Sequence, residues 1–404
     1  MSPFTQLILL LSIILISAKF AGYLSSLAGQ PAVLGELIVG LILGPSLVDI
    51  LHFPIFSDHL LAETIEHLAE IGVLLLMFFA GLELHLSELA RNIKVSAYAG
   101  LLGVAIPIGL GYGVGLAFGF EPQQAVFLGL TLGATSVSIS AQTLMELRAL
   151  RSRVGLGLLG AAVFDDVMVI LFLSGFIALS SGGGNIASIG LIFVRMIVFL
   201  LLSLAFGLWV LPRLARRLSI LPISQGVLTF ALVIMLLYGV AAEVIGNMAA
   251  ITGTFLAGLM FARSPEKERI ERGISALSYG LFVPIFFVNI GLSVDARQLD
   301  AGVLLLMLGI TVAAILGKWV GAGLGARLAE FSWRESIQLG AGMISRGEVG
   351  LILASVGLTE GLVNEAEFSA IIGMVLISTL ITPPTLRALF AKDESRPVAE
   401  AVHN

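Results

Sequence analysis

The chain has 404 residues, 58% of them hydrophobic and only 12% charged, and its mean hydropathy is +1.04. A soluble domain carries about 25% charged residues, so this composition excludes a water-soluble globular protein and indicates a polytopic, all-α membrane protein. Cysteine is absent, which excludes disulfides and thiolate metal sites. With five histidines no multi-histidine metal centre is expected, the net charge of −5 says little because placement matters more than the sum, and no nucleic-acid partner is expected.

Windows of about 20 apolar residues mark membrane spans. In chain order, thirteen such windows fall near 5–25, 32–50, 67–85, 95–119, 124–146, 154–180, 187–211, 223–244, 246–262, 276–294, 301–326, 335–358 and 367–389. The boundary between the eighth and ninth is a short turn at Ile245–Asn247. The N-terminus, Met1 to Gln6, has no basic stretch and no small-residue cleavage site, so the first span is expected to remain as a helix. The last span lies close to the C-terminus, and no soluble regulatory domain is expected after it.

Lysine and arginine set the expected orientation. With the N-terminus outside, the inner loops carry Arg91 and Lys94; Arg148, Arg151 and Arg153; Arg213, Arg216 and Arg217; Arg263, Lys267, Arg269 and Arg272; and Arg327 and Arg334. Arg387, Lys392 and Arg396 fall at a cytoplasmic C-terminus, and Arg297 stands in an outer loop. This asymmetry follows the positive-inside rule for a cytoplasmic-membrane protein, and an even number of spans would scramble it.

The sequence also repeats. Met77-Phe78-Phe79-Ala80-Gly81-Leu82 in span three resembles Ile285-Phe286-Phe287-Val288 through Gly291-Leu292 in span ten. Gly40-Leu41-Ile42-Leu43-Gly44-Pro45 in span two resembles Gly258-Leu259-Met260-Phe261 in span nine, and spans four and eleven are both glycine-rich. Every match is displaced by seven spans, an odd number, so the second copy is inverted in the membrane. Inverted repeats characterise secondary transporters, which place their site at the midplane between broken helices.

Four groups of residues carry the chemistry. Asp165 and Asp166 stand together near the middle of span six. Each carboxylate at that depth costs roughly 2.5–3.5 kcal/mol on insertion scales, so each needs a cation, a proton or water. Neighbours on a helix point about 100° apart, which lets one face a wet cavity and the other a neighbouring helix. Span five holds Gly133-Ala134-Thr135-Ser136-Val137-Ser138-Ile139-Ser140. Hydroxyls there compete for backbone groups and favour a break in the helix; the alternative is a close small-residue contact between helices. Span twelve holds Ser345-Arg346-Gly347-Glu348, whose charges either offset the ends of half-helices or form a simple buried ion pair. Lys318 in span eleven lies some 12 Å before Arg327 at 1.5 Å per residue; it either snorkels or pairs with a buried aspartate. Glu36, Glu83 and Glu243 read as interfacial, and Lys19 and Arg195 as snorkelling.

These residues resemble the monovalent cation:proton antiporter-2 family, and among its members the NapA-like sodium/proton antiporters. The resemblance rests on Gly35-Glu36 with Gly40 and Gly44-Pro45-Ser46, Phe79-Ala80-Gly81-Leu82-Glu83, Thr135-Ser136, Gly160-Ala161-Ala162 with Asp165-Asp166, Lys318, and Arg346-Gly347-Glu348, in order along nearly the whole chain. It implies one transporter domain over residues 1–404, with inverted repeats at about 5–180 and 223–389 and a linker helix at about 187–211. It implies two crossed, broken helices at spans five and twelve, and a homodimer formed through a region that includes spans one and eight.

By the same resemblance, Asp166 is the Na⁺- and proton-binding carboxylate, Thr135 and Ser136 belong to the ion site, and Lys318 pairs with Asp165. Arg346 and Glu348 compensate the broken helices. The implied activity is electrogenic exchange of Na⁺ or Li⁺ for H⁺ across the bilayer by alternating access, with no cofactor beyond the transported ions. The potassium-efflux branch usually has Gln-Asp where this chain has Asp-Asp, so K⁺/H⁺ exchange is the second reading. A sodium-coupled organic anion symporter and a channel come after it. Adjacent aspartates do not suit an intramembrane aspartyl protease, and the hydrolase motifs Gly-x-Ser-x-Gly and His-Glu-x-x-His are absent, so no enzyme is expected.

Overall fold

The computed structural model describes residues 1–84, 91–180, 186–218, 224–293 and 301–394, and these contain helices and turns but no strand. In chain order the helices are α1 (Pro3–Leu27), α2 (Ala32–Leu43), α3 (Leu61–Leu82), α4 (Ile93–Ala117), α5 (Pro122–Gly133), α6 (Val137–Glu146), α7 (Arg153–Ser180), α8 (Ile186–Ala205) and α9 (Leu211–Leu218). The second half comprises α10 (Gly226–Ala241), α11 (Ala250–Phe261), α12 (Lys267–Leu277), α13 (Val283–Leu292), α14 (Ala301–Leu328), α15 (Trp333–Gly342), α16 (Gly347–Thr359) and α17 (Glu365–Glu394). Single π-helical turns join α8 to α9 and α12 to α13, and another ends α10.

Ten segments are long and apolar enough to cross a membrane, α5–α6 and α12–α13 each counting as one. The shorter apolar helices α2 and α11 and the broken element α15–α16 bring the described crossings to thirteen. In lipid the backbone must satisfy its own hydrogen bonds, which is why helices are the only spanning form here. Several boundaries differ from the sequence expectation, among them two in the first half. The second span stops at Leu43, because Gly44 turns extended and Pro45 follows it. The third begins at Leu61, earlier than the apolar window, with Glu63, Glu66 and Glu70 on its first turns.

The helices pack as two bodies. In one, α4 crosses α14, α5 and α7, while α14 also lies on α15 and α17. In the other, α2 packs on α1 and α13, and α11 packs on α3 and α10. Equivalent glycines make equivalent contacts in the two halves of the inverted-repeat fold. A side chain on Gly40 would strike the Val288 carbonyl, and one on Gly258 would strike the Phe78 carbonyl. Likewise Gly81 lies against the Phe255 carbonyl, and Gly291 against Leu41. Phe78 and Val288 stand three residues before Gly81 and Gly291, so packing aligns the repeats by these glycines and not by the phenylalanine pairs. The other body repeats the device: Gly129 of α5 meets the Ile108 carbonyl of α4, and Gly340 of α15 meets the Trp319 carbonyl of α14. Small residues replace hydrophobic driving force between membrane helices by allowing close backbone approach.

Candidate functional site

Two helix breaks meet at the centre of the first body. α5 ends at Gly133, Ala134 and Ser136 are extended, and α6 begins at Val137. α15 ends at Gly342, and α16 restarts at Gly347. The breaks are stitched together: the Ser136 amide donates to the Ser345 carbonyl (2.9 Å), Ser345 Oγ donates to the Ser136 carbonyl (2.6 Å), and Ser140 Oγ donates to the Gly342 carbonyl (2.5 Å). Gly347 has φ +43°, and a Cβ there would sit 2.5 Å from Ser136 Oγ. The hydroxyls of span five therefore serve the junction of two broken helices, as well as close packing.

Arg346 is fully buried beside this junction. Its guanidinium donates to the carbonyls of Ala314 (2.8 Å) and Met343 (3.4 Å). The second acceptor lies just past the C-terminal end of α15, where unpaired carbonyls carry partial negative charge. Glu348 occupies the second position of α16, but its side chain lies outside the described residues.

α7 brings the aspartates to the same level. Its Phe164 and Ala161 press against Gly100 of α4, and α14 crosses α4 alongside. Asp165 and Lys318 are both fully buried, and Lys318 Nζ donates to Asp165 Oδ1 at 2.5 Å. Lys318 thus turns inward to a partner instead of snorkelling. The buried Thr135 side chain lies beside the Asp165 carboxylate. Asp166, turned about 100° away, lines a small cleft with Met77, Val137, Leu159, Val163, Ile251 and Phe255 among its walls. Thr252 Oγ1 donates to Asp166 Oδ2 at 2.8 Å.

The structure therefore brings Asp165, Asp166, Thr135, Ser136, Lys318 and Arg346 into one neighbourhood. The sequence reading missed Thr252. Its signal was present: two threonines flank Gly253 at the start of an unusually short apolar span, just after the turn at Asn247, which takes the left-handed φ of 53°. Glu36 is buried within the protein, with Lys19 at 3.6 Å. Arg195 holds the carbonyls of Val244 and Ile245.

A family profile described as "Sodium/hydrogen exchanger, transmembrane" matches residues 13–392. The chain belongs to this family. It is 39% identical over 386 residues to the Na(+)/H(+)-K(+) antiporter GerN of Bacillus cereus, covering 95% of this chain and 97% of that one. It is 42% identical over 381 residues to the probable Na(+)/H(+) antiporter GerT of the same organism, covering 94% and 98%. Its fold matches the sodium proton antiporter MjNhaP1 from Methanocaldococcus jannaschii with a TM-score of 0.67 at 19% identity, over 98% of this chain and 100% of the other. The exchanger family is a family of multi-pass transporters, and the crossed breaks and inverted repeats described above are those of its fold.

Proposed function

We propose that the protein exchanges Na⁺ or Li⁺ for H⁺ across the cytoplasmic membrane by alternating access, with Asp166 as the group that holds either ion. The observation that carries this reading is the division of labour between adjacent aspartates. Asp165 is committed to a buried lysine at 2.5 Å, whereas Asp166 faces a cleft. A carboxylate resists charge when desolvated and favours it beside a cation, so one carboxyl group can bind a proton or a sodium ion but not both strongly. Two ligands competing for one site, reached from alternate faces, give coupling without ATP.

Thr135 and Ser136 supply hydroxyl and carbonyl oxygens beside this group, and Arg346, with Glu348, offsets the charges of the helix ends. The repeats at about 5–180 and 223–389 and the linker at about 187–211 form one domain in this reading. Lysine and arginine placement supports a cytoplasmic C-terminus and an outer N-terminus. Exposed apolar side chains on α1 (Phe4, Ile16, Phe20) and α10 (Leu236, Leu237, Val240) offer a surface for a homodimer. K⁺ transport is the second reading, favoured by the likeness to the Na(+)/H(+)-K(+) antiporter GerN of Bacillus cereus.

The test is Asp166→Asn in proteoliposomes with an imposed pH gradient, challenged in turn with Na⁺, Li⁺ and K⁺. The substitution preserves shape and removes the charge. It is expected to abolish cation-dependent proton flux while the protein still accumulates and folds. Normal sodium-dependent flux in this variant would rule the reading out, and the unmodified protein's response to the three cations ranks the two alternatives.

A further inference from the structure

The contact between Asp166 and Thr252 joins the two helix bodies. Asp166 rides on α7, which packs on α4 in the body of the crossed breaks. Thr252 stands at the start of α11, which packs on α3 and α10 in the other body. Gly253 abuts the Tyr238 carbonyl of α10, so the threonine is fixed to its own body by backbone contact. Its side chain is buried, at 3% exposure, and its hydroxyl proton points to Asp166 Oδ2 at 2.8 Å.

Most of the residues that line the cleft lie on one side of Asp166. On α7, Leu159, Ala162 and Val163 lie between Asp166 and Arg153; on α11, Phe255 lies toward Arg263; on α3, Met77 lies toward Glu83; on α6, Val137 leads to Glu146. All four paths run to the same, arginine-rich end. There the bodies also touch, through Arg151 with Glu83 (2.7 Å) and through the Ala32 amide donating to Glu146 (2.6 Å).

We propose that Thr252 is a one-sided positioning residue: its hydroxyl, supplied by the body that lacks the aspartates, orients Asp166 and lends the bound cation an oxygen in only one of the two access arrangements. Alternating access requires the two bodies to shift against each other by more than a hydrogen bond can stretch. A contact of 2.8 Å between them therefore belongs to one of the two arrangements. A threonine hydroxyl can donate to a carboxylate through its hydrogen and still present lone pairs to a cation. The carrier would then hold sodium with one more oxygen on one face than on the other. The inference rests on Asp166 being the ion-binding carboxylate.

The test compares Thr252→Val, which keeps the branched shape and loses the hydroxyl, with Thr252→Ser, which keeps the hydroxyl. Sodium-dependent proton flux is measured in everted and in right-side-out membrane vesicles, so that sodium meets each face in turn. A charge-assisted hydrogen bond is worth enough to raise KM for sodium about tenfold when lost. That rise is expected from one face alone, with KM from the other face unchanged and with Thr252→Ser near the unmodified value. If valine prevents accumulation in the membrane, Thr252→Ala against Thr252→Ser gives the same comparison. A KM unchanged by loss of the hydroxyl, or raised alike from both faces, overturns the proposal. Asp166→Asn run beside these variants separates the outcomes: persistent exchange there would remove the reading of Asp166 itself.

Discussion

Replacing Lys318 by glutamine tests how the buried pair couples transport to voltage. Lys318 and Asp165 are both fully buried and meet at 2.5 Å. Removing the ammonium from a buried pair costs about 3–5 kcal/mol if the carboxylate stays charged. A buried carboxyl without a partner avoids most of that cost by taking up a proton. The pair then keeps the net charge it had before, zero, and the protein is expected to fold with reduced thermal stability. What it loses is the lysine proton, the one expected to leave when sodium arrives at Asp166.

If Lys318 gives up a proton as sodium binds, two protons exchange for one sodium ion and one net charge crosses. That charge is worth about 2.3 kcal/mol at 100 mV, which supports a sodium gradient roughly 50-fold larger than at zero potential. The assay is sodium-dependent proton flux in liposomes with the potential set by potassium and valinomycin. The unmodified protein should respond to voltage, and Lys318→Gln should continue to exchange with little or no response. Adding Asp165→Asn to Lys318→Gln should recover part of the lost stability, because no carboxyl then remains to be neutralised. Voltage-independent exchange by the unmodified protein, or a full voltage response in Lys318→Gln, refutes the argument.

The homodimer is expected to persist in mild detergent, where native mass spectrometry would show twice the chain mass; an active monomer in lipid nanodiscs would contradict it. Gly347→Ala places a Cβ 2.5 Å from Ser136 Oγ at a φ of +43°. The left-handed backbone alone costs about 1–2 kcal/mol for a residue with a side chain, so this variant should melt at lower temperature and exchange more slowly. Wild-type melting and flux would show that the two breaks do not depend on their close approach.

Much of this architecture is written in the sequence because the bilayer reads it directly. Each span needs about 20 apolar residues, so the windows fix thirteen crossings, and the arginine-rich loops order them. Asp165 and Asp166 declare themselves because no carboxylate is cheap at that depth. The hydroxyls of Thr135–Ser140 and the glycines around Arg346 mark breaks because both compete with helix. Tertiary structure decided the partnerships. Which aspartate meets Lys318 depends on how α7 is rotated against α4 and on how closely α14 crosses beside it, and that approach is set by glycine-to-carbonyl contacts between helices far apart in the chain. The register of the inverted repeat was decided the same way, by Gly81 and Gly291. Glu36 looks like an interface residue on its own helix and becomes buried only when α1 brings Lys19 to 3.6 Å. Thr252 has no charge to betray it, and a threonine can satisfy its hydroxyl on its own helix, as Thr254 does on the carbonyl of Ile251. It joins the site only because folding sets the start of α11 against the middle of α7, and a one-dimensional pattern of hydropathy carries no record of that distance.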